Sequence, residues 1–145
     1  MRPYYQLPLR FTDLLEKKRL VLCSLEDSIR QHIHLVIKTH YHEYRFDTNY
    51  GCYVWDKDFD NIQSVSKWKD ELEDLVLQSL NAYERRLSRI QVSIKVDEPE
   101  TLDPKTQQVI RHRKRITIQT QGIVKKTNQL LSHTEYMFFS PLSLA

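Results

Sequence analysis

The stretch SKWKDELEDLVLQSLNAYERRLSRIQVSIKVD, Ser66 to Asp97, changes its hydrophobic period once, and that change decides the fold. In its first part Trp68, Leu72, Leu75, Val76, Ser79, Leu80, Tyr83 and Leu87 trace one apolar stripe at helical spacing. Lys67, Lys69, Asp70, Glu73 and Asp74 cover the opposite side. From Ile90 the period is two: Ile90, Val92, Ile94 and Val96 alternate with Gln91, Ser93, Lys95 and Asp97. A long amphipathic helix therefore feeds a half-buried strand with one wet face.

Working outward toward the N-terminus, His40 to Asp60 is aromatic and irregular. Tyr41, Tyr44, Phe46, Tyr50, Tyr53, Trp55 and Phe59 are interleaved with Asp, Asn and Gly51, which predicts loop and short extended pieces over the core. Before it, Leu25, Ile29, Ile33, Val36 and Ile37 recur at helical spacing. Ser24 with Asp27 three residues on resembles a capping box, so a first helix is predicted over Leu25–Thr39. Residues 1–23 read as an N-terminal arm, with a helical turn or two at Phe11, Leu14 and Leu15 and an extended piece at Leu20 to Cys23. Toward the C-terminus, Asp97 to Gln108 carries Pro99 and Pro104 and reads as a solvated loop. A second strand is predicted over Val109–Val124, and a third, apolar on both faces, over Tyr136–Ser140. Helices followed by consecutive strands, without a repeat, predict an α+β fold: two principal helices packed on a small antiparallel sheet, in a single domain over residues 24–145.

Composition narrows the function. The 145 residues, 40% hydrophobic and 28% charged, suit one compact core. Apolar runs are short, far from the roughly 18 to 20 consecutive residues of a membrane span, so membrane insertion is not expected. Met1 to Leu9 has no apolar h-region and no small-residue cleavage site, which makes the cytosol the expected location. Cys23 and Cys52 are too few and too far apart for a disulfide framework or a zinc ribbon. With only Gly51 and Gly122, neither a Walker-type nor a dinucleotide-type phosphate loop can be written, and no cofactor is expected.

Charge is unevenly distributed: residues 1–103 carry 15 basic and 18 acidic side chains, and residues 104–145 carry 7 basic and 1 acidic. The run Arg111, His112, Arg113, Lys114, Arg115 is the strongest basic block and a candidate partner surface. Phosphates could meet it, but no base-stacking aromatic motif is interleaved, so an acidic protein partner is preferred to nucleic acid. Glu84, Arg85 and Arg86 form a second charged cluster where helix gives way to strand. Cations there also fit a plain helix C-terminus.

His32, His34, His40 and His42 with Glu43 contain zinc-ligand types. His32 and His34 point to different sides of a helix, however, so they read as surface and core-edge histidines and no metal site is expected. Glu71 with Glu73, or Asp56 with Asp58 and Asp60, could be imagined as a glycosidase pair, but they lie on a polar helix face or a charged loop. No nucleophile elbow accompanies the Ser, Cys and His residues, and no catalytic residue is assigned.

In order along the chain, several pieces carry a family resemblance: Ser28-Ile29-Arg30-Gln31-His32-Ile33, then Thr39 and Glu43-Tyr44-Arg45-Phe46, then Asn49-Tyr50-Gly51, then Tyr83-Glu84-Arg85-Arg86-Leu87 and the strand Ile90–Val96. Over about Ser24 to Val96 the chain resembles the small baseplate proteins of contractile phage tails and their type VI secretion counterpart, TssE, a family once labelled lysozyme-like. Its Glu-Pro-Arg motif matches Glu84 and Arg86, with Arg85 in the proline's place. Proline lacks an amide hydrogen and disfavours helix in the residue before it, so Arg85 would let the long helix run on past Glu84. The resemblance implies a structural wedge subunit without catalysis. It would dock on other baseplate proteins through Glu84, Arg85 and Arg86 and offer an open sheet edge on which the first sheath subunits add strands. Arg111, Arg113 and Arg115 would help to select an acidic partner. No small-molecule substrate is implied, and the alternatives are a cell-wall glycosidase or a basic nucleic-acid-binding module.

Overall fold

The computed structural model describes residues 4–52, 65–97, 100–111 and 114–139. Among them the order of elements is β1 (Tyr4–Tyr5), α1 (Phe11–Leu15), β2 (Leu22–Cys23), α2 (Leu25–Lys38), α3 (Val65–Tyr83), β3 (Leu87–Asp97), β4 (Glu100–Leu102), β5 (Val109–Arg111), β6 (Lys114–Val124) and β7 (Gln129–Phe139). Strands β3, β6 and β7 form an antiparallel sheet in the order β3-β6-β7, so β6 is central. The two principal helices pack on this sheet, as the α+β pattern predicts. No described helix is long and apolar enough to cross a membrane.

The hydrophobic patterns translate directly into the core. Ile29, Ile33, Val36 and Ile37 of α2 and Trp68, Leu72, Val76 and Leu80 of α3 are buried against Leu87, Ile90 and Ile94 of β3, Ile116, Ile118 and Val124 of β6, and Leu131 and Met137 of β7. Each fully buried side chain of this size stabilises the fold by about 1.5–3 kcal/mol relative to exposure. Ser24 caps α2, its Oγ accepting the Asp27 amide at 3.1 Å. The capping box is half made, because the Asp27 carboxylate turns to Arg30 at 3.2 Å.

Four expectations need correction. The long helix ends at Tyr83 and does not run past Glu84. The Glu84 side chain does the work of the missing proline: its Oε1 accepts the Arg86 backbone amide at 3.0 Å, and the Arg86 carbonyl accepts the Lys125 amide at 2.9 Å. Those bonds fix a turn at Arg85 and Arg86 and start β3 at Leu87. The supposed loop 97–108 contains a ribbon, β4 paired with β5, in which Leu102 lies opposite Val109. The second predicted strand is therefore two elements, β5 and β6. The third strand begins at Gln129, well before Tyr136, because polar residues alternate inward and outward there as regularly as apolar ones. Its Tyr136 and Phe138 are exposed while Met137 is buried.

In the loop after α2, Cys52 bridges to His40, and its amide donates to the Thr39 carbonyl at 2.8 Å. Tyr44 and Phe46 are exposed, whereas Tyr50 packs on the core. The expectations for Tyr53, Trp55 and Phe59 fall outside the described residues.

Candidate functional site

At the end of α3 one carboxylate organises four segments of chain. Glu84 is only 1% exposed. Its Oε1 accepts from Arg86 Nε at 2.9 Å and its Oε2 from Arg86 Nη2 at 2.8 Å, a two-pronged pair that matches the guanidinium fork to the carboxylate. His32 Nδ1 on α2 lies 2.8 Å from the same Oε2. Arg86 Nη1 reaches back to Ser28 Oγ at 2.8 Å, and its guanidinium carbon lies 5.9 Å from the Tyr4 ring centre on β1. Ser28 and His32 are four residues apart, hence on one face of α2, and that spacing is the signal that could have joined them to Glu84 in the sequence.

Burial alone raises the Glu84 pKa. The hydrogen bonds from Arg86 and His32, the Arg86 amide and the Arg86 charge outweigh it and bring the pKa down to about 2. Around this knot lies an aromatic collar. Tyr50 stacks on His32 with ring centres 6.0 Å apart, and meets Tyr83 edge-on at 4.9 Å. Tyr83 Oη donates to Asp47 Oδ2 at 2.9 Å, tying the loop after α2 to the end of α3. Burial first, then the Glu84 charge, pushes the Tyr50 hydroxyl up to about 12.

The sequence-selected residues divide into two groups. Glu84, Arg85 and Arg86 stand together; Glu84 and Arg86 are tied inward and Arg85 is exposed. Arg115 pairs with Asp97 across β3 and β6, Nη2 to Oδ2 at 2.9 Å, and its guanidinium lies 5.9 Å from the Tyr136 ring centre. Arg111 is in register with Glu100 on β4. Arg113 is outside the described residues. Two members of the basic block, Arg111 and Arg115, thus have acidic residues opposite them in register. Ten residues of β3 separate Leu87 from Asp97, so the two groups are roughly 30 Å apart along the sheet.

A second buried carboxylate escaped the sequence reading. Glu135 on β7 accepts from His34 Nδ1 at 2.6 Å and His133 Nε2 at 2.9 Å, with Lys38 Nζ 3.9 Å from its other oxygen. Burial raises its pKa, but the bonds from both histidines outweigh it and leave it below the usual range. His32 and His34 thus serve two different carboxylates. Among the described residues no group of three or more His, Cys, Asp or Glu side chains is arranged to hold a metal ion.

The α+β fold thus carries a buried charge knot, Glu84 held by Arg86 and His32, at its helix–strand junction. The model of the baseplate wedge protein gp25 family matches residues 23–129, and the chain belongs to that family as a structural baseplate wedge subunit. Among the solved structures that share the fold are two of low sequence identity to the chain. One, from Geobacter sulfurreducens and provisionally named a tail lysozyme, aligns over 84% of this chain and 97% of its own at 19% identity, with a TM-score of 0.58. The other, a chain of the baseplate complex from the type VI secretion system, aligns over 78% and 92% at 14% identity, with a TM-score of 0.53. No curated protein matches the sequence.

Proposed function

We propose that this wedge subunit works without catalysis in the cytoplasm, as one compact unit over residues 24–145 joined to the arm of residues 1–23. In this reading it docks on other baseplate proteins through the end of the molecule that carries Glu84, Arg85 and Arg86, and sheath subunits add strands to its sheet. The observation that carries strand addition is the pair of eleven-residue edge strands, β3 and β7, flanking β6. Long edges invite pairing with any chain, so a protein that keeps two has a use for one of them. Helix side chains already guard both: Glu73 accepts the Ile94 amide at 2.9 Å, Arg30 Nε donates to the Ser132 carbonyl at 3.3 Å, and Lys38 Nζ to the Tyr136 carbonyl at 3.0 Å.

The absence of catalysis is supported by the state of the two buried carboxylates. A glycosidase acid needs a raised pKa, and both Glu84 and Glu135 are held down. Purified protein is expected to leave peptidoglycan intact; turnover abolished by one Asp or Glu substitution would overturn the structural reading. Hydrogen exchange with and without sheath subunits tests strand addition. Protection should rise at the outward amides of one edge, Val92 and Val96 on β3 or Thr134 and Phe138 on β7. No gain at either edge would place sheath growth on another surface.

A further inference from the structure

Folding brings together cations that the sequence keeps apart. Arg85 lies in the turn after α3, and Lys125 and Lys126 lie in the turn between β6 and β7. The bond from the Lys125 amide to the Arg86 carbonyl, 2.9 Å, locks the two turns side by side. Arg89 stands just beyond, at a positive φ of 50°, where the β3–β6 register slips between Ser88 and Gln91. A bulge of this kind re-aims a side chain at the cost of local strain, which persists only where the surroundings enforce it. All four cations are exposed, and among the described residues none of their side chains forms an ion pair or hydrogen bond. The carboxylate at this end, Glu84, cannot neutralise them, because Arg86 and His32 occupy both its oxygens.

Beside Arg85 lies a groove of roughly 460 Å³ between the N-terminal arm and the knot, lined in part by Tyr5, Leu7, Gln31 and Tyr83. Tyr5 and Leu7 are about half exposed, which gives the groove an apolar wall, with Arg85 on the same groove. We propose that this end of the molecule is a docking surface for an acidic, amphipathic protein segment. Its carboxylates meet Arg85, Arg89, Lys125 and Lys126, and its apolar side lies against Tyr5 and Leu7. This deepens the docking reading by giving the partner's chemistry, and it moves charge selection away from Arg115, whose guanidinium Asp97 already holds. Four cations on two turns and a bulge are also fewer than the roughly six to ten phosphate contacts that make nucleic-acid binding strong and steeply salt-dependent. A protein segment can use both the charge and the apolar wall.

The test titrates the full chain with a synthetic amphipathic peptide of alternating Glu and Leu turns, and separately with a duplex oligonucleotide, followed by backbone amide NMR. The peptide should perturb residues 85–89 and 125–128, and raising the salt should weaken it. The triple variant Arg85→Glu, Lys125→Glu, Lys126→Glu should weaken peptide binding by about tenfold or more. The variant Arg10→Glu, Arg19→Glu, Lys105→Glu makes the same change in net charge elsewhere and should bind nearly as the parent does. Equal loss in both variants, shifts that map to other residues, or tighter binding of the duplex than of the peptide would overturn the proposal. No baseplate protein takes part, so failure here leaves the wedge reading standing. That reading fails separately, if the unmodified chain does not join baseplate partners.

Discussion

Arg86 grips both oxygens of a carboxylate only two positions earlier, Nε on Glu84 Oε1 at 2.9 Å and Nη2 on Oε2 at 2.8 Å, while its own amide donates to Oε1 at 3.0 Å. One residue pair thus ends a helix, closes a turn and starts a strand. Removing Arg86 leaves the buried Glu84 carboxylate without its cation, a loss that typically costs about 3–5 kcal/mol, whereas removing Glu84 leaves a guanidinium that is a third exposed and costs less. Glu84→Ala and Arg86→Ala should each lower the denaturation midpoint accordingly. The double variant should lose clearly less than the sum, as expected for two groups in direct contact. Strict additivity in urea titrations would mean that the two side chains act independently.

The same pair predicts an acid limb for stability. Glu84 has a folded-state pKa of about 2 against an ordinary 4.5, so folding favours its ionised form. The stabilisation is present in full above pH 4.5 and is lost as the pH falls through 4.5 toward 2. The difference corresponds to about 3 kcal/mol at neutral pH. Glu84→Gln should flatten this limb relative to the parent when unfolding is followed from pH 6 to 2. An unchanged slope would assign the acid sensitivity to other groups, of which Glu135 is the first to examine.

What the sequence made legible, and what it hid, follows from the range of the interactions. The α3 stripe and the β3 alternation are local periods, and both translate directly into elements. The helix end was misplaced because its stop signal is a side chain bonding two residues onward, which no propensity at Arg85 reveals. The ribbon β4–β5 was hidden because Pro104 marks a turn without forbidding a short ladder across it, Glu100–Leu102 on one side and Val109–Arg111 on the other. The partners of Glu84 were hidden by distance, since His32 lies 52 residues away. Lys125 and Lys126 drew no attention, because a pair of lysines in a turn means little until Arg85 is placed beside it.

Gly51 and Gly122 should respond differently to alanine. Gly51 has φ of +117°, and an added Cβ would come 2.5 Å from the Thr39 carbonyl oxygen and 3.0 Å from that of His40. Both obstacles are backbone at the bridge between His40 and Cys52, so Gly51→Ala should destabilise by about 3 kcal/mol or more, beyond ordinary strain at a positive φ. At Gly122 the nearest atoms are Leu87 Cδ1 and the Ser88 carbonyl oxygen, both at 3.4 Å, in a strand where alanine's backbone is allowed. Gly122→Ala should stay within about 1 kcal/mol of the parent. Thermal unfolding of the two variants measures the contrast.

The position of β6 decides how proline can be used to probe strand addition. Ile94 donates its amide outward to Glu73, and Ser132 and Tyr136 accept outward from α2, so the even-numbered residues of β7, and of β3 from Val92 onward, past the bulge, face away from β6. By the same alternation, Thr117 on the central strand pairs with Lys95 and directs its amide into the β3 ladder. Thr117→Pro should therefore damage the isolated subunit by about 3 kcal/mol or more, whether or not a sheath strand ever binds. Thr134 lies between Ser132 and Tyr136 on β7 and directs its amide away from the sheet, so proline there removes no internal ladder bond. Thr134→Pro should fold with a loss of about 1 kcal/mol and bar any chain that pairs along β7. Val92→Pro applies the same logic to β3, with an added packing cost because Val92 touches the core. Sheath assembly seeded by each variant then distinguishes the edges. Failure with Thr134→Pro alone assigns the incoming strand to β7, and failure with Val92→Pro alone assigns it to β3. Normal assembly with both would show that neither edge receives a strand.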